Sequence, residues 1–148
     1  MSTVDLTPDY DFVIIGARCS GASTARLLAL GGARVLVVER AKLGSDTLST
    51  SYLMRGAVMQ LQRWGILPAL VAAATPAVRT THFHYASRTL SVDVRPSGNF
   101  NALYAPRRTL LDPLLVAAAR AAGAEVEFGT RVAGLVHLDR HGHRRPAP

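Results

Sequence analysis

Gly16, Gly21, the small and cationic residues between them, and an acidic side chain some way downstream are the residues here whose types and spacing suit a phosphorylated ligand. Asp11 to Ile15 is a short, nearly continuous apolar run of the kind that forms a parallel strand buried on both faces. Gly16 lets the backbone turn sharply off its end, and Gly21 is the next position where a Cβ would hold a helix away from the strand or the ligand. The helix expected from about Ser20 to Leu30 starts at this turn. Its unpaired N–H groups and the positive end of its dipole therefore face an anion. A pyrophosphate suits that position, with Gly16, Ala17, Arg18, Cys19, Ser20 and Gly21 as the candidates to hold it.

Glu39 ends the next apolar run, Arg34 to Glu39, near the ~20-residue interval at which an acidic side chain accepts hydrogen bonds from a ribose diol. That chemistry favours FAD or NAD over NADP. The adjacent Arg40 points the other way, because an arginine there can accommodate a 2′-phosphate, and it stays a binding candidate. Arg18 stands where the G-x-G-x-x-G fingerprint has its middle glycine, so its side chain must either swing outward or contact phosphate itself. Strand, glycine turn, helix, strand and acid in this order outline a dinucleotide-binding βαβ unit. The bland alternative is a buried βαβ unit that binds nothing.

This stretch and two later ones resemble the FAD-dependent oxidoreductases of the aromatic-hydroxylase and geranylgeranyl-reductase type. In a bacterial branch of that superfamily the first strand runs into G-A-R-C-x-G, as Gly16 to Gly21 do here. The second match is Ser45 to Thr50 (SDTLST) followed by Leu61 to Leu67 (LQRWGIL), and the third is Tyr104 to Asp112 (YAPRRTLLD) followed by Ala122 to Val126. The resemblance covers about residues 10 to 138. It implies FAD as cofactor, NAD(P)H as a possible external reductant, and an apolar or aromatic substrate in the full-length relatives. It also implies that Arg108, in an R-x-x-L segment opening a helix, reaches the ribityl-pyrophosphate region, where a guanidinium fork matches phosphate oxygens. Asp46, Thr47, Ser49 and Thr50 sit where the family's chain passes along the flavin, and are either ring-edge partners or turn and cap residues.

The elements that must position these residues read as follows. After the second strand comes a polar loop, then a helix from Leu53 to Trp64 with Leu53, Ala57, Leu61 and Trp64 on its apolar stripe, and a short helix begun by Pro68 and stopped by Pro76. Thr80 to Val94 alternates with period two and predicts a hairpin turning at Ser87-Arg88. Arg107 to Ala122 is helical, and Glu125 to Phe128 is expected as the third strand of the parallel sheet. The fold class is therefore α/β, a Rossmann-like FAD-binding unit with a small hairpin-and-helix excursion. Residues 1–40 and 107–138 make the FAD-binding portion, 41–106 the excursion, and 139–148 a disordered tail.

At 148 residues the chain is less than half as long as proteins of the resembled family, and it has no Gly-Asp dipeptide from which their second flavin motif, G-D-A-x-H, could be built. The reading expects a fold incomplete at its C-terminus, from a truncation or a frameshift. In the usual strand order the first strand lies inside the sheet, so here it would become an edge, and self-association is expected.

Composition excludes several classes. With 49% hydrophobic and 18% charged residues the chain reads as folded, and no apolar run reaches the ~18 residues of a membrane span. An acidic start and a lone cysteine point to the cytoplasm. The +7 net charge comes from scattered arginines without an aromatic-interleaved stripe, which argues against nucleic acid. His82 with His84, and His137, His141 and His143, lack the ligand set and scaffold of a metal site, so no metal is expected. No catalytic side chain is assigned, since flavin chemistry needs no protein nucleophile. A short-chain NAD dehydrogenase is rejected because its Y-x-x-x-K is missing and Lys42 is the only lysine. The remaining competitor is a non-catalytic nucleotide-binding or interaction module.

Overall fold

The computed structural model describes residues 9–48, 52–98, 100–138 and 144–145. The chain runs through β1 (Phe12–Ile15), α1 (Cys19–Leu30), β2 (Val35–Glu39), α2 (Arg55–Arg63), α3 (Leu67–Ala72) and β3 (Ala77–Val78). It continues with β4 (Thr80–Tyr85), β5 (Arg88–Asp93), β6 (Leu103–Tyr104), α4 (Arg108–Ala121), β7 (Glu125–Phe128), β8 (His137–Leu138) and β9 (Arg144–Arg145). These elements fall into two compact units, Met1–Lys42 with Ala119–Pro148, and Leu43–Ala118. Among the described residues no helix is long and apolar enough to cross a membrane.

The first unit is built on a parallel sheet of order β1-β2-β7. Phe12 to Ile15 pair with Val35 to Val38, and Leu36 to Glu39 pair with Glu125 to Phe128. The expected third strand therefore joins the sheet as predicted, beside β2. Being central, β2 carries the continuous apolar run that a two-sided strand needs, and Val35, Val37, Val38 and Glu39 are all buried. Helix α1 lies against this sheet through the small residues Ala22 and Ala25, and ends where Gly31 caps it and Gly32 takes a φ of +86°. At the open end of β1, Asp11 accepts from the Arg34 side chain (2.8 Å) and backbone N–H (2.8 Å). Those bonds hold the Asp11 carboxyl below its ordinary pKa and align the two strands where they enter the sheet.

The second unit packs α2 and α3 with the short β3–β6 pair, and buries Val58, Leu61, Leu70, Leu103 and Leu111. Three expectations need correction here. Leu53 does not open the helix but bridges to Tyr104 in extended backbone, and α2 starts only at Arg55, after Met54 with ψ of 165°. Its buried stripe is Val58 and Leu61, while Ala57 is exposed. The hairpin turns at Ala86-Ser87, not Ser87-Arg88, since Arg88 is already paired with Tyr85. Two-residue hairpin loops need a positive φ, and Ala86 supplies it at 41° although it is not glycine. The β3–β6 pair had no counterpart in the expected elements. Within 139–148, Arg144–Arg145 pairs antiparallel with His137–Leu138, and the rest of that stretch lies outside the described residues.

Strand β1 is an edge of its sheet, and Val13 and Ile15 are 57% and 65% exposed, so the run from Asp11 to Ile15 is not buried on both faces as its apolar sequence suggests. An uncharged apolar edge strand is a template for association, and a charge placed on it blocks that route. Val13→Lys is expected to shift the chain toward monomer in size-exclusion chromatography at about 0.15 M salt, a strength at which surface repulsion is screened beyond ~8 Å. An unchanged elution profile for an associated parent would place the contact elsewhere.

Candidate nucleotide-binding site

The site starts from one steric fact at the end of β1. Gly16 sits at φ +104°, and a Cβ on Gly21 would lie 1.8 Å from the Gly16 carbonyl oxygen and 3.2 Å from Cγ2 of Ile14. Only glycine lets the first turn of α1 rest directly on the strand end. The strand itself is continued one residue further by Gly16 N–H donating to the Val38 carbonyl at 2.8 Å. Arg18 is the N-cap residue, with extended backbone (ψ −173°) and no side-chain cap, and the first turn contains no acidic residue. The first intrahelical bond runs from Ala22 N–H to the Arg18 carbonyl at 2.9 Å. The N–H groups before it point out of the helix end, which carries no acidic side chain to oppose an anion.

Glu39, at the end of β2, is 8% exposed and joined to the glycine turn. Its Oε2 accepts from Ala17 N–H at 3.0 Å, and its Oε1 from Ala41 N–H at 2.9 Å. Burial works to raise its pKa. The bonds from Ala41 and Ala17 and the charges of Arg18 and Arg40 outweigh burial, so the carboxyl is held below its ordinary range. The structure thus brings Gly16 through Gly21, Glu39 and Arg40 together in one unit, around the turn and the strand end. Ala17 is buried, Arg18 and Cys19 are half-buried, and Ser20 and Arg40 are exposed.

Arg108 belongs to the other unit, in the first turn of α4. Its Nε and Nη2 fork onto Oδ1 and Oδ2 of Asp112 at 2.8 and 3.1 Å, with Asp112 buried. The i,i+4 spacing of that pair was visible in the sequence, yet the role of Asp112 as the partner of Arg108 was missed. Arg107 pairs instead with Asp46, whose Oδ1 also accepts from Thr47 N–H at 2.9 Å. Asp46 is thus an ion-pair partner and a turn residue. Ser49 and Thr50 lie outside the described residues. His82 and His84 bond across the hairpin to Ser91 and Thr89 (2.8 and 3.0 Å), and the described residues contain no group that could hold a metal ion. His141 and His143 also lie outside the described residues.

The family described as "FAD binding domain" matches residues 9–144. The chain belongs to that family. FAD is accordingly the cofactor of this FAD-binding chain, and its fold is the Rossmann-like α/β fold of flavoproteins. No curated protein matches it in sequence. Among solved structures, a geranylgeranyl bacteriochlorophyll reductase-like protein from Thermoplasma acidophilum superposes with a TM-score of 0.72 at 24% identity, over 88% of this chain and 32% of its own. A flavoprotein/dehydrogenase from Cytophaga hutchinsonii gives 0.68 at 24% identity, over 92% and 36%. The myxobacterial chondrochloren halogenase CndH gives 0.70 at 18% identity, over 92% and 34%. At these identities the likeness shows the fold alone. The FAD-binding chain spans about a third of the length of these structures.

Two consequences can be measured. Gly21→Val forces α1 off the strand end and is expected to cost about 3 kcal/mol or more, read as a lower thermal midpoint. The depressed pKa of Glu39 means its carboxylate contributes stability above the ordinary value of 4.5, and that contribution is lost as pH falls through the folded pKa. Glu39→Gln, which puts an amide N–H against a backbone donor, should lower stability at neutral pH by about 1 kcal/mol. It should also flatten the acid side of the stability profile. An acid limb identical in the variant would assign the loss to other carboxyls.

Proposed function

We propose that this chain is the FAD-binding portion of a flavin-dependent oxidoreductase of the monooxygenase or ene-reductase type, and that it does not turn over substrate by itself. The observation that carries the reading is the joined cradle, with Gly21 seated on the Gly16 carbonyl and Glu39 bonded to Ala17 N–H. In this reading the turn from Gly16 to Gly21 holds the pyrophosphate through backbone N–H groups beyond Ala17, those of Gly16 and Ala17 being given to Val38 and Glu39, with Arg18 beside it as a cation. Cys19 and Ser20 contribute through their place in the first turn of α1 rather than as reactive groups. Glu39 takes the adenosine ribose. Each of its oxygens accepts one backbone N–H, and a carboxylate oxygen has lone-pair capacity for a second donor. Arg40, exposed next to it, would meet a 2′-phosphate only at the cost of setting that phosphate beside the Glu39 carboxylate. Arg108 enters through the resemblance of its R-x-x-L segment alone.

The bound isoalloxazine would supply the electron chemistry, and the chain's own residues supply binding, orientation and charge. NAD(P)H as reductant, an apolar or aromatic substrate and a cytoplasmic setting follow from the resemblance and the composition, and belong to the same proposal. The expected outcome of titration is FAD binding at least about tenfold tighter than NADP, a difference of ~1.4 kcal/mol. NADP binding as tightly as FAD would sink the assignment of Glu39. NAD(P)H oxidation by the FAD-loaded chain should not exceed that of free FAD, because a reactive flavin needs a water-excluding site. Sustained turnover above that background would show the chain to be a complete catalyst.

A further inference from the structure

The second unit carries a groove outside every assignment made above. It measures about 280 Å³, and its floor is Val58, Leu67 and Phe100, each at most 6% exposed. Its rim is polar, with Gln62, Arg63 and Ser97. The local fold explains the placement. Gly65 at φ +72° reverses the chain between α2 and α3, so the last turn of one helix and the first residue of the next line the same hollow. The opposite wall is formed by Ser97, Gly98 and Phe100, with Ser97 N–H donating to the Phe100 carbonyl at 2.9 Å and Phe100 N–H to the Ser97 carbonyl at 3.1 Å. Phe100 is further fixed by the Arg55 guanidinium, 4.8 Å from its ring centroid.

Three arginines of this unit are already engaged. Arg55 is engaged by Phe100 and the Arg95 carbonyl, Arg107 by Asp46 and Arg108 by Asp112. No hydrogen bond or ion pair to another described residue engages Arg63, and no carboxylate lines the groove. The guanidinium sits in the last turn of α2, where the helix dipole favours a cation. A buried apolar floor with a few convergent polar groups is the form of a small-molecule site. We propose that this groove binds a small aromatic or apolar molecule bearing one carboxylate. The body would lie over Val58, Leu67 and Phe100, and the carboxylate on Arg63 with Gln62 or Ser97 as second donor. The volume falls just below the ~300 Å³ at which pockets for drug-sized ligands begin, so a single ring is the fitting size. One guanidinium matches a monoanion, whereas a phosphate dianion would keep an uncompensated charge. The assignment is independent of the nucleotide cradle, since none of these residues belongs to the first unit.

Saturation-transfer NMR on the full chain tests it, with benzoate as probe and benzyl alcohol as its neutral counterpart. Benzoate should give a saturable signal and bind about tenfold more tightly than benzyl alcohol, the margin of one charge-assisted hydrogen bond. Arg63→Gln, at an exposed position, should erase that margin and leave benzyl alcohol unchanged. Met59→Trp, filling the groove from its rim, should weaken both probes by about fivefold or more, the loss expected when apolar contact area is denied to the ring. Equal affinity for the two probes, no saturable benzoate signal, or benzoate binding indifferent to either substitution overturns the proposal.

Discussion

The contact on which the first unit depends is the absence of a side chain, at Gly21. A helix can begin this close to the end of a strand only if its first turn meets the strand's last carbonyl without a Cβ between them. At Gly21 that atom would overlap the Gly16 oxygen outright. Helix α1 then lies close enough for Ala22 and Ala25 to be fully buried against the sheet. Its N-terminal N–H groups come to the sheet end, where a ligand phosphate can be bound by backbone alone. Steric fit between strand and helix and affinity for an anion therefore have the same cause, and a substitution cannot remove one while keeping the other.

Glu39 does for the loop what Gly21 does for the helix. Its buried carboxylate replaces lost water with two backbone N–H donors, one from the glycine turn and one from the residue after Arg40. The turn is thus held before a ligand arrives, and less ordering entropy is charged to binding. Charge pairs elsewhere matter less. Asp11–Arg34 is open to solvent, where such pairs contribute little, whereas Arg108–Asp112 is largely screened from water and fixes the direction of its guanidinium.

The βαβ unit was legible because its signals are local and strong: a two-sided apolar strand, glycines where the backbone needs them, and an acid at the following strand end. The same reading placed Glu125–Phe128 in the parallel sheet, and the structure sets it beside β2. The errors fell where long-range pairing decides. Leu53 has the spacing of a helical stripe but is captured by Tyr104, and the two-residue strands β3 and β6 have no period to read. The hairpin turn was displaced by one residue because Ala86 adopts a conformation that alanine rarely takes, so no turn residue announced it. The partnership of Arg107 with Asp46 spans 61 residues and was invisible to any local pattern. Arg108, which the resemblance sends to the ribityl-pyrophosphate region, is paired with Asp112 one turn along its own helix.

The β4–β5 hairpin has a division of faces whose consequence is dynamic. One face is a polar ladder in which Thr80 meets Asp93, His82 meets Ser91 and His84 meets Thr89, and the other exposes Phe83, Tyr85, Leu90 and Val92. Among the described residues its two strands pair only with each other, in register from Thr80–Asp93 to Tyr85–Arg88, and the ribbon buries little apolar surface. A two-stranded ribbon on these terms is held mainly by its turn and its ladder. It can open as a local unit at a small fraction of the free energy needed to unfold the chain, so its amide protons exchange with solvent well before those of β2.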